Sequence, residues 1–182
     1  MTLGELFDGA PLAEPLSVEL STASVTGLAY DSRRVLPGYA FFAFPGQKAD
    51  GLAFAADAAV RGAIAVVSQS EKPPGFAGNW IQAVHGRQAL AIAARNFYGR
   101  PDERIALIGI TGTNGKTTCS YLIDSVLRAA GRVTLLVGTI EYRLAGKVLP
   151  AVNTTPESLD LMLLLAELER LGGTHATMEV SS

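Results

Sequence analysis

Ile105-Ala106-Leu107-Ile108-Gly109-Ile110-Thr111-Gly112-Thr113-Asn114-Gly115-Lys116-Thr117-Thr118 is the stretch on which the reading of the fold turns. Its first half is an apolar run, preceded by Asp102, Glu103 and Arg104 and closed by glycine, which predicts a strand buried on both faces. Its second half packs Gly112, Gly115, Lys116, Thr117 and Thr118 into a turn that opens a helix. That arrangement suits a phosphate. Residues without a Cβ let backbone N–H groups approach the anion, the helix N-terminus supplies positive potential, and a lysine adds a mobile charge. A hydroxyl directly after the lysine can complete the shell of a Mg²⁺ ion bridging the phosphates. The match to G-x-x-x-x-G-K-[ST] is incomplete: Ile110 stands where the first glycine belongs, and the glycines fall at Gly109, Gly112 and Gly115.

Around this loop, 182 residues with 48% hydrophobic content and a formal charge of −2 leave room for one large or two small cores. The 15 basic residues are scattered, without the aromatic-interleaved stripe that tracks a phosphate backbone, so no nucleic-acid partner is expected. Apolar runs stop short of a bilayer span, and the N-terminal Met1-Thr2-Leu3-Gly4-Glu5-Leu6-Phe7-Asp8 is acidic where a signal peptide is basic. The expectation is a cytoplasmic protein without a membrane partner. Cys119, the single cysteine, has no internal partner and is expected to be a small packing residue.

Upstream of the loop, residues 2–8 predict one or two helical turns, which the segment from Pro11 to Pro15 ends. Alternation through Val25–Tyr30 predicts a strand reaching the polar cluster Asp31-Ser32-Arg33-Arg34, and Pro37-Gly38 turns into an aromatic strand, Tyr39–Phe44. A polar loop from Pro45 to Gly51 leads into an alanine-rich helix at about 52–61. Short strands at 63–68 and 80–84 follow, then a helix at about 87–98 stopped by Gly99 and Pro101. Strands alternating with helices predict an α/β layered fold, with a first domain over 1–100 and a second over 101–182.

Beyond the loop, Leu122, Ile123, Val126, Leu127 and Ala130 define the expected buried face of a helix. A strand at 133–137 ends in Gly138-Thr139, and Glu141–Leu149 predicts a hairpin turning at Ala145-Gly146. Thr155 before Pro156 predicts an N-cap and first helical position, with Glu157 in the first turn of a leucine-faced helix. The last strand, 174–180, carries Glu179 near its end, placed to hold Mg²⁺. In an open parallel sheet, ligands collect beyond the carboxyl ends of the strands, where the phosphate loop, Thr139, Asn153-Thr154-Thr155 and Glu179 with Ser181 all fall. His85 and His175 have no recognisable acid or hydroxyl partner and are assigned to structure.

As a set these residues resemble the Mur ligases, and within them the members that add the third amino acid of the peptidoglycan peptide. The resemblance rests on Asp31-Ser32-Arg33 with Pro37-Gly38 and Phe41-Phe42, on Gly46–Gly51, on residues 111–118, on Asn153-Thr154-Thr155 and on Met178-Glu179-Val180-Ser181-Ser182. It implies an N-terminal α/β domain that binds a UDP-linked substrate, followed by a phosphate-loop, parallel-sheet ATP-binding domain, incomplete at its C-terminus. It also implies a reaction. ATP and Mg²⁺ would convert the D-glutamyl carboxylate of UDP-N-acetylmuramoyl-L-alanyl-D-glutamate to an acyl phosphate, from which an amino acid's amine displaces phosphate. By the same resemblance, Gly112, Thr113, Asn114, Gly115, Lys116, Thr117 and Thr118 would bind ATP, and Thr117 and Glu179 would hold the metal. Lys116 and Glu179 would be the catalytic pair. Tyr30, Ser32, Gln47, Lys48 and Ala49 would contact the uridine nucleotide, while Asn153, Thr154, Thr155 and Ser181 would hold the muramoyl-peptide part.

The family pattern continues with a histidine, a modified lysine and an amino-acid-selecting domain, so the chain is expected to be an inactive fragment of a ligase that is monomeric when full length. The added residue, meso-diaminopimelate or L-lysine, is chosen in that further domain; diaminopimelate is the commoner case and the one expected. Competing readings are a small phosphate-loop kinase, a dipeptide-adding Mur ligase or folylpolyglutamate synthase, and a non-catalytic uridine-nucleotide-binding module.

Overall fold

The computed structural model describes residues 1–46, 50–151 and 153–181, and the chain divides into two compact units, Met1–Phe97 and Tyr98–Ser182. Each is built on its own sheet.

The first unit begins with two short helices, α1 (Leu3–Leu6) and α2 (Val18–Thr22). Thr2 caps α1 in a reciprocal box with Glu5, and Ser17 caps α2 by accepting from the Leu20 N–H. Four parallel strands follow in the order β1 (Gly27–Ala29), β2 (Tyr39–Ala43), β3 (Ala65–Ser68), β4 (Trp80–Gln82). Alternation along β2 sends Phe41 to one face and Phe42 to the other. Phe41 packs with Val66 against Ala55 and Ala58, the buried side of α3 (Ala55–Val60), whose small residues let the helix sit close to the sheet. Phe42 meets Phe7 with ring centroids 6.0 Å apart. On the helix α4 (Gly86–Phe97), Ala89, Leu90, Ala93 and Ala94 are buried, and Asn96 donates to the Leu6 and Asp8 carbonyls left open at the end of α1.

In the second unit the strands β5 (Ala106–Ile110), β6 (Thr134–Val137), β7 (Glu141–Leu144), β8 (Lys147–Pro150) and β9 (His175–Glu179) order as β5-β9-β6-β7-β8. The first three are parallel and the β7–β8 hairpin is added antiparallel. The hairpin turns where expected, with Ala145 (φ 49°) and Gly146 (φ 84°) both left-handed, the pairing a two-residue turn needs. Helices α5 (Lys116–Ala129) and α6 (Ser158–Arg170) complete the unit. Leu165 and Leu168 of α6 pack with Leu135, Val137, Tyr142, Leu144, Ala176 and Met178 as the apolar core.

Three expectations are corrected here. Strand β5 is not buried on both faces: among the described residues it is an edge strand paired with β9 alone, and Ala106, Leu107 and Gly109 are exposed. Strand β9 inserts between β5 and β6 and pairs on both sides. Helix α5 does not bury the apolar face read from its periodicity. Leu122 and Val126 are 61% and 69% exposed, while Ser120 and Asp124 are fully buried, because Thr134 on the sheet donates 2.6 Å to the Asp124 carboxylate and turns the polar side inward. Cys119 shares the outward side and is exposed rather than packed.

Candidate functional site

The sequence after β5 makes the turn that its glycines allow. Gly112 (φ 141°) and Gly115 (φ 79°) both occupy left-handed backbone, and Gly115 stands at the N-cap of α5 with no side chain capping the helix. The first N–H groups of a 14-residue helix therefore open toward the loop. Lys116 folds back over it, its ammonium donating 2.7 Å to the Gly112 carbonyl. Thr113, Asn114 and Thr118 are exposed around the same turn. Backbone donors, dipole and lysine thus converge on one concavity that can take a phosphate.

Glu179 ends β9 beside this loop because β9 lies next to β5, with Glu179 in register with Ile110. Its side chain is 1% exposed. Burying a carboxylate is costly unless donors surround it, and three do. Thr117 Oγ1 donates to Oε2 at 3.0 Å, Thr139 Oγ1 to Oε2 at 3.1 Å, and the Thr139 N–H to Oε1 at 3.1 Å. Gly138 is required by close approach, since a Cβ there would stand 2.7 Å from Glu179 Oε1.

The Asn153-Thr154-Thr155 turn meets the same carboxylate residue from the other side. Thr155 Oγ1 donates to the Glu179 carbonyl (3.1 Å), accepts from the Ser181 N–H (2.9 Å) and lies 3.1 Å from Ser181 Oγ. With the Thr155 proton given to the carbonyl, Ser181 must donate the last of these bonds. This corrects the N-cap expectation: Thr155 is drawn into the site, α6 starts at Ser158, and Glu157 stands at its N-cap without capping the helix through its side chain. Asn153 is exposed but anchored. The buried Tyr142 hydroxyl donates to its carbonyl and accepts from its N–H at 3.3 Å.

Tyr30 and Ser32 lie in the other unit. Tyr30, just past β1, stacks on Phe44 (centroids 6.2 Å apart), and the Arg87 guanidinium lies 4.7 Å from the centroid of the same Phe44 ring. Ser32 is buried, and its hydroxyl holds the Asp57 carboxyl below the usual carboxylate range, with Arg61 adding to the effect. Asp31 is likewise held low, chiefly by its hydrogen bonds from Arg33, and its side chain also accepts from the Arg33 N–H. Gln47, Lys48 and Ala49 lie outside the described residues. His85 has a structural part, its Nδ1 accepting from the Gln88 N–H at the start of α4.

Phe44, Arg87, Gly138 and Tyr142 were not picked out from sequence. Phe44 and Gly138 carry one usable signal, a position immediately after a strand; Arg87 and Tyr142 have none short of the tertiary contact. A direct test of the packing around Glu179 is Gly138→Ala. Displacement of the carboxylate should destabilise the second unit by about 2 kcal/mol, the weight of one hydrogen bond to a charged group, measured by urea unfolding.

The Mur ligase family catalytic-domain model matches residues 24–98, and the Mur ligase middle-domain model matches residues 110–182. The chain is 67% identical over all 182 residues to the UDP-N-acetylmuramoyl-L-alanyl-D-glutamate--2,6-diaminopimelate ligase of Solibacter usitatus, covering 37% of that protein. Identity to the same-named ligase of Geobacter sulfurreducens is 41% over 178 residues, covering 97% of this chain and 35% of that protein. The chain thus spans about a third of the length of these curated relatives. A solved structure of a UDP-N-acetylmuramoyl-L-alanyl-D-glutamate--2,6-diaminopimelate ligase superposes with TM-score 0.82 at 26% identity, over 100% of this chain and 36% of that one. MurF ligase from Thermotoga maritima, solved in complex with ADP, shares the fold at TM-score 0.57 and 21% identity, over 87% of this chain and 32% of that one.

Proposed function

The chain belongs to the Mur ligase family, and on that premise we propose that it is the substrate- and nucleotide-binding part of an ATP-dependent ligase joining 2,6-diaminopimelate to UDP-N-acetylmuramoyl-L-alanyl-D-glutamate. The observation that carries this reading is the meeting of two groups at one buried residue, Glu179, one at its carboxylate and the other at its main-chain carbonyl. The phosphate loop reaches Glu179 through Thr117, and the Asn153–Thr155 turn reaches it through Thr155. A phosphoryl donor and a carboxylate acceptor must be brought into contact for this chemistry, and the two elements that would hold them share Glu179.

In this reading Gly112–Thr118 bind ATP, with loop N–H groups on the phosphates and Lys116 neutralising charge on the transferring group. Thr117 and Glu179 fit Mg²⁺: both offer hard oxygen atoms, already 3.0 Å apart. Among the described residues no cluster of three or more His, Cys, Asp or Glu is placed to hold a metal. Two protein ligands suit Mg²⁺, which takes its remaining oxygens from water and nucleotide. When bound, the ion would offset negative charge on the phosphates. Asn153, Thr154, Thr155 and Ser181 orient the D-glutamyl carboxylate. One carboxylate oxygen bonds to the γ-phosphorus as ADP leaves, and the incoming amine then displaces phosphate at the acyl carbon. Tyr30, Ser32 and residues 47–49 belong to the uridine-binding side, in a unit of their own. Among the described residues no helix is long and apolar enough to cross a membrane.

Calorimetric titration with UDP-N-acetylmuramoyl-L-alanyl-D-glutamate tests this assignment. Saturable binding is expected, and Tyr30→Ala should weaken it about tenfold through loss of one aromatic contact. Binding of ADP without any binding of the uridine compound would replace the cell-wall assignment by another phosphate-loop enzyme.

A further inference from the structure

We propose that Thr139 is a positioning residue for the metal-binding carboxylate, an inference that rests on the ligase reading above. Thr139 sits just beyond β6 and touches both sides of the site. Its N–H and hydroxyl take one oxygen each of Glu179, at 3.1 Å in both cases, and its Oγ1 lies 3.3 Å from Thr154 Oγ1.

Proton accounting gives these contacts a direction. A hydroxyl carries one proton, and an ionised carboxylate only accepts. Were the Thr139 proton turned to Thr154, two oxygen lone pairs would face each other at the 3.1 Å contact with Glu179 Oε2. The Thr139 proton therefore goes to the Glu179 carboxylate rather than to Thr154. Both carboxylate oxygens are then held from the β6 side, which leaves no free rotation about the terminal bond of Glu179. Oε2 is also where Thr117, the other proposed metal ligand, makes its bond. Gly138 lets the backbone come this close, so Thr139 and Glu179 form one fitted pair.

The hydroxyl acts on the carboxylate, not on the phosphate loop's backbone. Its loss should therefore appear in the metal-dependent part of nucleotide binding alone. The experiment is titration of the full chain with ADP, in excess Mg²⁺ and separately in excess EDTA, for the wild type, Thr139→Val and Thr139→Ser. In the wild type Mg²⁺ should tighten ADP binding. Thr139→Val keeps the shape and the N–H but lacks the hydroxyl, and should reduce that Mg²⁺ enhancement about tenfold with the affinity in EDTA unchanged. Thr139→Ser restores the hydroxyl and should restore the enhancement. An unchanged enhancement in Thr139→Val overturns the proposal, as does an equal loss in Mg²⁺ and EDTA, which would mean general loosening of the loop. If the wild type binds ADP without any Mg²⁺ effect, or not at all, the metal and nucleotide roles assigned above fall first, and this one with them.

Discussion

Lys116→Ala should lower the affinity of the chain for ADP about a hundredfold while leaving its thermal midpoint where it was. The ammonium sits at the mouth of the loop, held 2.7 Å from the Gly112 carbonyl, on the first residue of α5. A charge-assisted hydrogen bond to a phosphate oxygen contributes about 1.5–3 kcal/mol, which corresponds to roughly one to two decades of affinity. Removal also subtracts a full positive charge from a concavity whose other attractions are N–H dipoles. Lys116→Arg should recover only part of the loss, because the planar guanidinium replaces a compact, rotatable charge with a wider fork. The side chain makes one partly buried bond to a backbone carbonyl, so folding should change little. Calorimetric titration beside a thermal melt reads both quantities. An ADP affinity that survives Lys116→Ala would mean that the glycine-rich turn is not the phosphate site.

The second large effect concerns stability. Asp124→Ala should destabilise the second unit by about 3 kcal/mol, about 2 for the buried hydrogen bond to a charged acceptor and about 1 for its partly exposed ion pairs. Asp124 is 1% exposed, accepts from Thr134 Oγ1 at 2.6 Å, and has Arg143 and Arg128 at 3.6 and 3.7 Å. Arg143 is itself tied to Glu141 and lies 5.4 Å over the Tyr121 ring. Burial, with the nearby Glu141 charge, pushes the Tyr121 hydroxyl up, so the phenol stays neutral beside its acidic neighbour. Alanine at 124 leaves the Thr134 hydroxyl without an acceptor and two guanidinium groups without their shared counter-charge. In Asp124→Asn an oxygen for Thr134 remains, and the loss should be smaller, about 1 kcal/mol. Urea unfolding gives the totals, and hydrogen exchange along α5 and β6 locates them. Equal losses in the two variants would show that the Thr134 bond contributes nothing. The same variant bears on function, since α5 carries Lys116 and Thr117 at its start.

The phosphate loop was legible because its information is local. Gly112, Gly115, Lys116 and Thr117 are neighbours in the chain, and left-handed backbone at a strand-to-helix turn needs glycine wherever it occurs. Glu179 could be read as a strand-end carboxylate, and Ala145-Gly146 as a hairpin turn, for the same reason. The neighbours of Glu179 could not be read. Thr117 is 62 positions away and Thr139 is 40, and nothing in either segment's periodicity says that they meet on one carboxylate.

From the chain alone came the α/β class, most of the element positions, the phosphate loop and the family resemblance, all of which depend on short-range spacing. Tertiary structure decided the strand order. Placing β9 between β5 and β6 put Glu179 beside the loop, drew Thr155 away from capping α6, and left β5 as an open edge. It also decided which side of α5 faces the sheet. Periodicity counts apolar residues, but the helix settled on the side where Asp124 meets Thr134, because a carboxylate with a buried partner outweighs an apolar stripe that has nothing in this unit to pack against. Pairing partners distant in sequence are chosen by the free energy of the assembled sheet, a quantity that no window along the chain contains.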